Sequence, residues 1–202
     1  MFKTDRLLLR GYQPSDQDFI LDLLNTYDVL ANLTAAPITP SHDVHLEMWD
    51  RMIKCALFVV VCDKESSEMM GFTLINITTP RNLDGEVGIA LHKSYWSKGY
   101  ATEVMNWLIG YSFKVLGLRR LSILVFSSNT RAIPLYERMW VSPTFSLSYD
   151  SFFMFFLLAG SNMKEEDGRL CGRKALGWRW CGWVCWARNI ILVNSETQKK
   201  NE

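Results

Sequence analysis

Ile89-Ala90-Leu91-His92-Lys93-Ser94-Tyr95-Trp96-Ser97-Lys98-Gly99-Tyr100-Ala101-Thr102-Glu103 is the stretch from which the fold is read. Apolar residues run together up to Leu91 and polar ones follow. From Ala101 the apolar period becomes helical, with Ala101, Val104, Met105, Leu108, Ile109, Phe113 and Leu116 on one stripe that only Ser112 interrupts. A strand ends, a loop turns through Gly99, and a long helix begins. The unpaired backbone N–H groups of the helix start lie at the positive end of its dipole, a combination that binds phosphate oxygens. Gly99 lets the backbone approach an anion closely, and Ala101 and Thr102 are too small to block it. Alone, a Lys-Gly pair before a helix marks a helix start more often than a ligand site.

Upstream, residues 86–91 form a strand after a turn at Asn82-Leu83-Asp84-Gly85. The β-branched and aromatic runs at 56–62 and 70–77, separated by Asp63-Lys64-Glu65-Ser66-Ser67-Glu68, read as an antiparallel hairpin. Arg6-Leu7-Leu8-Leu9-Arg10 reads as an opening strand. Ser15 with Asp18 gives a capping signal for a first helix that carries Phe19, Ile20, Leu23 and Leu24 on one face. A second helix starts near Ser41 and carries Trp49, Met52 and Ile53, after a Pro37-x-x-Pro40 loop that cannot be helical throughout. Downstream, Gly117 closes the long helix, Arg120–Phe126 is a strand, and Asn129-Thr130 opens a helix running to about Met139. The order β-α-α-β-β-β-α-β-α implies a three-layer α/β fold. Its sheet is mixed and mostly antiparallel, helices cover both faces, and one strand-helix-strand crossover joins two parallel neighbours.

A chain of 202 residues suits one domain over residues 1–202. A net charge of +1 provides no field to attract nucleic acid or an acidic membrane, so neither is expected as a partner. Met1-Phe2-Lys3-Thr4-Asp5-Arg6 reaches charge at once, without an apolar export signal, and the apolar run at 152–159 is too short to span a bilayer. The expected location is the cytosol. Cys55, Cys62, Cys171, Cys181 and Cys185 are odd in number and form no disulfide framework. Cys181-x-x-x-Cys185 lacks a nearby histidine and two further ligands, so no metal is expected.

Trp96-Ser97-Lys98-Gly99-Tyr100-Ala101-Thr102-Glu103 resembles the pyrophosphate loop of GNAT-superfamily N-acetyltransferases, particularly the RimJ/RimL-like branch acting on protein N-termini. Thr4-Asp5-Arg6-Leu7-Leu8-Leu9-Arg10 looks like that branch's opening strand. Asn129-x-Arg131-Ala132-Ile133-x-Leu135-Tyr136-Glu137-Arg138-Met139 looks like its penultimate motif. The resemblance covers residues 4–140 in the family's order. The superfamily loop commonly begins with Arg or Gln where Trp96 stands, as is frequent in this branch.

The resemblance implies acetyl-CoA as co-substrate and a primary amine as acceptor, either a protein N-terminus or a small molecule, handled by a monomer or homodimer. It implies that Ile89, Ala90 and Leu91 pair through their backbone with the pantetheine arm. Ser97, Lys98, Gly99, Tyr100, Ala101 and Thr102 would hold the pyrophosphate. Asn129 matches a position that contacts the cofactor arm, and it also reads as a helix cap. Tyr136 matches the tyrosine that protonates the departing sulfur, against a bland reading as a packing residue. A backbone N–H near Ala90 or Leu91 would face the thioester oxygen. Glu86, at the start of the same strand, is the candidate general base, with His42, His45 and His92 as alternatives in polar stretches. A lysine amine costs about 4.6 kcal/mol to deprotonate at pH 7 and an α-amine about 1, so a weak base suits an α-amine.

The tail departs from this pattern. After Met139 the family expects a short strand, a loop and a closing strand. Here an apolar, aromatic stretch runs to Gly160, and only Lys164-Glu165-Glu166-Asp167-Gly168-Arg169-Leu170 resumes the family's look. Residues 141–163 therefore read as an insertion or a retained intron, and Val141-Ser142 is encodable by a splice-donor sequence. Phe152, Phe153, Phe155, Phe156, Leu157 and Leu158 show no clear helix or strand period, which predicts either irregular packing or an exposed apolar patch that promotes aggregation. Beyond them, residues 164–193, with Trp178, Trp180, Trp183 and Trp186, read as disturbed terminal strands, residues 190–193 still suiting a strand, and 194–202 as a disordered end. A tail so altered motivates a second reading, a non-catalytic acyl-CoA-binding or interaction module with an impaired acceptor site.

Overall fold

Period-two alternation builds a sheet whose two faces sort the apolar residues between two helical layers. In the computed structural model, which describes residues 1–33 and 42–139 and four strands beyond them, β1 (Phe2–Lys3) and β2 (Leu7–Gly11) lead into α1 (Gln17–Asn25) and α2 (Tyr27–Leu30). Helix α3 (His42–Met52) and the strands β3 (Leu57–Asp63), β4 (Met69–Thr79) and β5 (Asp84–Leu91) follow. Next come α4 (Tyr100–Lys114), β6 (Arg120–Phe126) and α5 (Ile133–Met139). The later strands are β7 (Val141–Ser146), β8 (Phe152–Leu158), β9 (Lys164–Glu166) and β10 (Arg169–Cys171).

The large sheet has the order β1-β2-β3-β4-β5-β6-β8-β7. Every pairing in it is antiparallel except β5 with β6, which α4 connects. On one face Ile20, Leu23 and Leu24 of α1 and Trp49 and Met52 of α3 pack on Val60, Cys62, Phe72 and Leu74. On the other, Met105, Leu108 and Ile109 of α4 pack on Ile75, Val87 and Leu121. Ser112 interrupts the α4 stripe without leaving a buried polar atom unsatisfied, because its hydroxyl donates to the Leu108 carbonyl at 2.7 Å. Gly117, at φ +64°, ends the helix in the left-handed region.

Two expectations are corrected. Asp16, the last residue of a 3-10 turn at Pro14–Asp16, and not Ser15, stands at the N-cap of α1, and its side chain makes no capping bond to the helix. The Asp16 carboxylate is 2% exposed, accepts the Gln13 N–H at 2.8 Å and receives the Arg10 guanidinium at 2.7 and 2.8 Å. Arg10 holds its carboxyl below the usual range. The second correction concerns Phe152–Leu158, expected to pack irregularly. It forms β8, in antiparallel register with β6 from Arg120↔Leu158 to Phe126↔Phe152. A continuous apolar run hides the period-two signal by which a strand is read. Cys181, Cys185, the four C-terminal tryptophans, the expected strand at 190–193 and the tail at 194–202 lie outside the described residues.

Candidate active site

Strands β5 and β6 begin as ordinary parallel neighbours, in register at Asp84↔Arg120, Gly85↔Leu121 and Glu86↔Ser122. An ion pair between Arg120 Nη2 and Asp84 Oδ2, 2.6 Å long, pins this end. Beyond Glu86 the strands part. Gly88, Ile89, Ala90 and Leu91 on one side, with Ile123, Leu124, Val125 and Phe126 on the other, line a cavity of about 500 Å³. Gly71 on β4 brings that strand so close to β5 that a Cβ there would sit on the Ala90 carbonyl oxygen. Some β5 carbonyls already have partners. Thr73 Oγ1 donates to the Gly88 oxygen at 2.8 Å, and Trp96 Nε1 donates to the Leu91 oxygen at 2.7 Å.

The loop above the cleft has the conformation its glycine suggested. Ser97 at φ +60° and Gly99 at φ +81° both occupy the left-handed region, and Gly99 is the N-cap of α4. Tyr95, Trp96, Ser97, Gly99, Tyr100, Ala101 and Thr102 line the cavity. Lys98 lies outside that lining, with its Nζ above the Tyr95 ring at 6.0 Å. The opening segment of the chain holds the loop in place through Glu103, on the first turn of α4. Glu103 accepts from Thr4 Oγ1 at 2.5 Å, from the Arg6 backbone N–H at 2.8 Å and from Arg6 Nε at 2.9 Å. Burial pushes the Glu103 carboxyl up, but these hydrogen bonds more than offset it and leave the pKa below its ordinary value. Arg6 Nη1 also donates to the Lys98 carbonyl at 3.1 Å, and its guanidinium lies 4.4 Å from the Tyr100 ring centre.

Glu86 and Tyr136, proposed from the sequence as base and acid, both line this cavity. The Glu86 carboxyl is pushed up to about 7 by burial. The Tyr136 phenol is 5% exposed and is pushed well above its ordinary value by the same cause. Asn129 lines the cavity and caps the following turn, its Oδ1 accepting the Ala132 N–H at 3.2 Å. Both sequence readings of Asn129 are thus compatible with one position. His92 is engaged elsewhere: its Nδ1 lies 2.8 Å from Ser94 Oγ and caps the 3-10 turn at Lys93–Tyr95. The backbone of His42 and His45 lies on α3, and their side chains lie outside the described residues.

Several side chains at the site carried no sequence signal of their role. Asn76 faces Glu86 across the β4–β5 ladder and lines the cavity. Arg131 lines it too, its guanidinium 4.0 Å from the Trp96 ring centre. Arg6 and Glu103 lie 97 residues apart in the chain. Only the folded opening strand brings them together.

Residues 6–139 match the acetyltransferase (GNAT) domain model. The chain is 28% identical over 141 residues to an uncharacterized N-acetyltransferase, p20, of Bacillus licheniformis, which covers 67% of this chain and 79% of that protein. It is 32% identical over 95 residues to spermidine N(1)-acetyltransferase of Escherichia coli K12, covering 47% of this chain and 50% of that protein. Among solved structures, spermidine N-acetyltransferase from Vibrio cholerae, in complex with CoA and spermine, superposes with a TM-score of 0.62 at 21% identity. That match covers 77% of this chain and 96% of the other. A GNAT-family acetyltransferase from Bacillus anthracis superposes with a TM-score of 0.63 at 17% identity, covering 77% and 96%. The cleft between β5 and β6, the loop above it and a family match over residues 6–139 together show that the chain belongs to the GNAT family of N-acetyltransferases.

Proposed function

We propose that this chain transfers the acetyl group of acetyl-CoA to a primary amine bound in the cleft between β5 and β6, with a protein N-terminal α-amine among the candidate acceptors. Ile89, Ala90 and Leu91 receive the pantetheine arm through their backbone. The loop from Ser97 through Lys98, Gly99, Tyr100 and Ala101 to Thr102 holds the pyrophosphate, and Asn129 meets the arm from the opposite side. Acetyl-CoA supplies an acetyl group already activated as a thioester. Glu86 takes a proton from the bound ammonium and so frees the nitrogen lone pair. A backbone N–H near Ala90 or Leu91 donates to the carbonyl oxygen. Tyr136 keeps its proton until the departing sulfur needs one.

The observation that carries this reading is the end of parallel pairing at Glu86↔Ser122, below a loop whose residues 97 and 99 are left-handed and lead into a 15-residue helix. A cleft opens where a thioester arm can lie between the parted strands, and Gly99, Tyr100, Ala101 and Thr102 of the helix start line it. The spermidine acetyltransferases among the relatives support an amine as acceptor. The same reading assigns the protein to the cytosol, as a monomer or homodimer. Residues 141–163, read from the sequence as an insertion or a retained intron, lie beyond the family match, while Val141–Ser146 and Phe152–Leu158 pair within the large sheet.

CoA release, measured with acetyl-CoA and a panel of peptide N-termini, free amino acids and polyamines, tests the proposal. Turnover with at least one amine, lowered in Glu86→Gln, is expected. Tight acetyl-CoA binding without turnover of any amine would contradict it and favour the non-catalytic acyl-CoA-binding reading.

A further inference from the structure

The cavity is chemically two-sided. Toward the loop it is polar, with Ser97, Thr102, Asn129 and Arg131. Away from the loop it is walled by Val29, Leu33, Met48, Met52, Phe72 and Leu74, contributed by α2 and the residues after it, by α3 and by β4. Polar groups on this acceptor wall are few: Asn32, Asn76 and Glu86. The Asn32 side-chain N–H already donates to the Asp28 carbonyl at 2.7 Å. The Asp28 carboxylate is paired with Lys93 at 2.5 Å. Across the described lining, Glu86 is the only carboxylate, against the guanidiniums of Arg131 and Arg138. Residues 34–41, which follow this wall in the chain, contain no Asp or Glu.

An amine with several ammonium groups needs a carboxylate or an equivalent set of acceptors for each charge it loses from water. An ammonium left against apolar side chains costs several kcal/mol. Among the described lining residues one carboxylate is available, and it is the group that must take the reacting proton; the side chains of Asp43 and Glu47 on α3 lie outside the described residues. An apolar arm, by contrast, gains about 25 cal/mol for each Å² it removes from water against Val29, Leu33, Met48, Met52 and Phe72.

We propose that the acceptor is a monoamine carried on an apolar arm, with the reacting nitrogen at Glu86 and the arm along the wall made by α2, α3 and β4. This rests on the amine-acetylating reading of the site and narrows its substrate class. The step balances within that reading: the amine nitrogen forms a bond to the acetyl carbon as the carbon–sulfur bond breaks. One ammonium proton goes to Glu86 before the attack, the Tyr136 proton goes to sulfur, and the second nitrogen proton, released as the amide forms, returns to the Tyr136 oxygen. Two sources provide such an amine, a small aralkylamine and a polypeptide whose first residue is hydrophobic. The relatives that acetylate spermidine would then differ from this chain in the acceptor wall, not in the cofactor cleft.

Calorimetric titration of the full chain, first with CoA and then, at saturating CoA, with amines, tests this. The amines are 2-phenylethylamine, a tetrapeptide with an N-terminal leucine, and spermidine. The expected result is that the phenylethylamine or the peptide binds at least about ten-fold more tightly than spermidine, equivalent to ~1.4 kcal/mol. Whichever of those two leads identifies the source. Met48→Glu, which adds a carboxylate to the wall, should move the ratio about ten-fold toward spermidine. Spermidine binding as tightly as the apolar-armed amines, or no binding of either apolar-armed amine at millimolar concentration with CoA bound, would overturn the proposal. Failure of the first titration would instead overturn the reading of the cofactor cleft.

Discussion

Burial makes Glu86 and Tyr136 alike weaker acids, with different consequences for catalysis. At Glu86 it holds a carboxyl near neutrality, where the anion is present in quantity and is a stronger base than an exposed carboxylate. At Tyr136 it keeps the proton on the oxygen throughout the working range, which suits an acid for a thiolate. Glu86→Gln is expected to lower kcat/KM by ~10²-fold or more and to remove a rise in kcat/KM through about pH 7, read from the pH profile. Stability should move the other way. Below about pH 4.5 the carboxyl is neutral in the folded and unfolded states and costs nothing. Between there and about 7 only the unfolded chain loses the proton, so folding weakens as pH rises. Above about 7 the full penalty, on the order of 3 kcal/mol, is present. Denaturant melts of Glu86→Gln should therefore show a gain over the wild type at pH 8 that disappears at pH 4.5. Tyr136→Phe is expected to lower kcat by ~10²-fold while the Kd for acetyl-CoA, measured by calorimetry, stays unchanged.

At the scale of elements, the loop before α4 depends on contacts that no local motif predicts. Glu103 joins the first turn of α4 to Thr4 and Arg6, and Arg6 reaches back to the Lys98 carbonyl, so the opening segment fixes the cofactor loop. Glu103→Ala should weaken acetyl-CoA binding and lower stability by about 1–2 kcal/mol, because the Thr4 and Arg6 donors lose their shared acceptor in a partly buried place. An unchanged Kd would show that the loop holds its conformation without this tie. What the sequence disclosed here is what periodicity and glycine chemistry carry. The switch of period at Ala101, a turn through Gly99 and the close of the helix at Gly117 were all legible before the fold. The Arg6–Glu103 and Arg131–Trp96 contacts were not, since charge and ring placement on separate elements follow only from the packed sheet. The α1 cap was misread for a similar reason. Ser15 and Asp16 are adjacent and both suit an N-cap, and the Asp16 carboxylate is taken by Arg10 and the Gln13 N–H, partners that the capping pattern does not show.

On the scale of the whole molecule, the ordering of strands up to β6 was readable from hairpins and one crossover, whereas the far edge of the sheet was not. Phe152–Leu158 lacks the apolar–polar alternation by which a strand is read, so its place between β6 and β7 carried no signal in the sequence. Residues 141–163 are nonetheless additional to the family match, which ends at residue 139. A version lacking them loses β8, the antiparallel partner of β6 from Arg120 to Phe126, and with it Leu157 of the core, and is expected to be less stable in denaturant and to bind acetyl-CoA more weakly than the full chain. Transcripts sequenced across the codons for Trp140 to Lys164 are expected to retain the segment. A deletion variant that folds and binds acetyl-CoA as the full chain does, with a transcript that lacks the segment, would instead support the insertion or retained-intron reading. The central claim, that the β5–β6 cleft and the α4 loop bind acetyl-CoA, is tested most directly by thermal unfolding of the full chain and of Gly99→Glu. At ~100 times its Kd, acetyl-CoA should stabilise the wild type by about 2.7 kcal/mol, a rise in Tm of roughly 5–10 °C. Gly99→Glu, which sets a bulky anion at a residue with φ +81° in the loop, should show no rise. A folded wild type that acetyl-CoA does not shift, or a Gly99→Glu protein that shifts equally, would contradict the account.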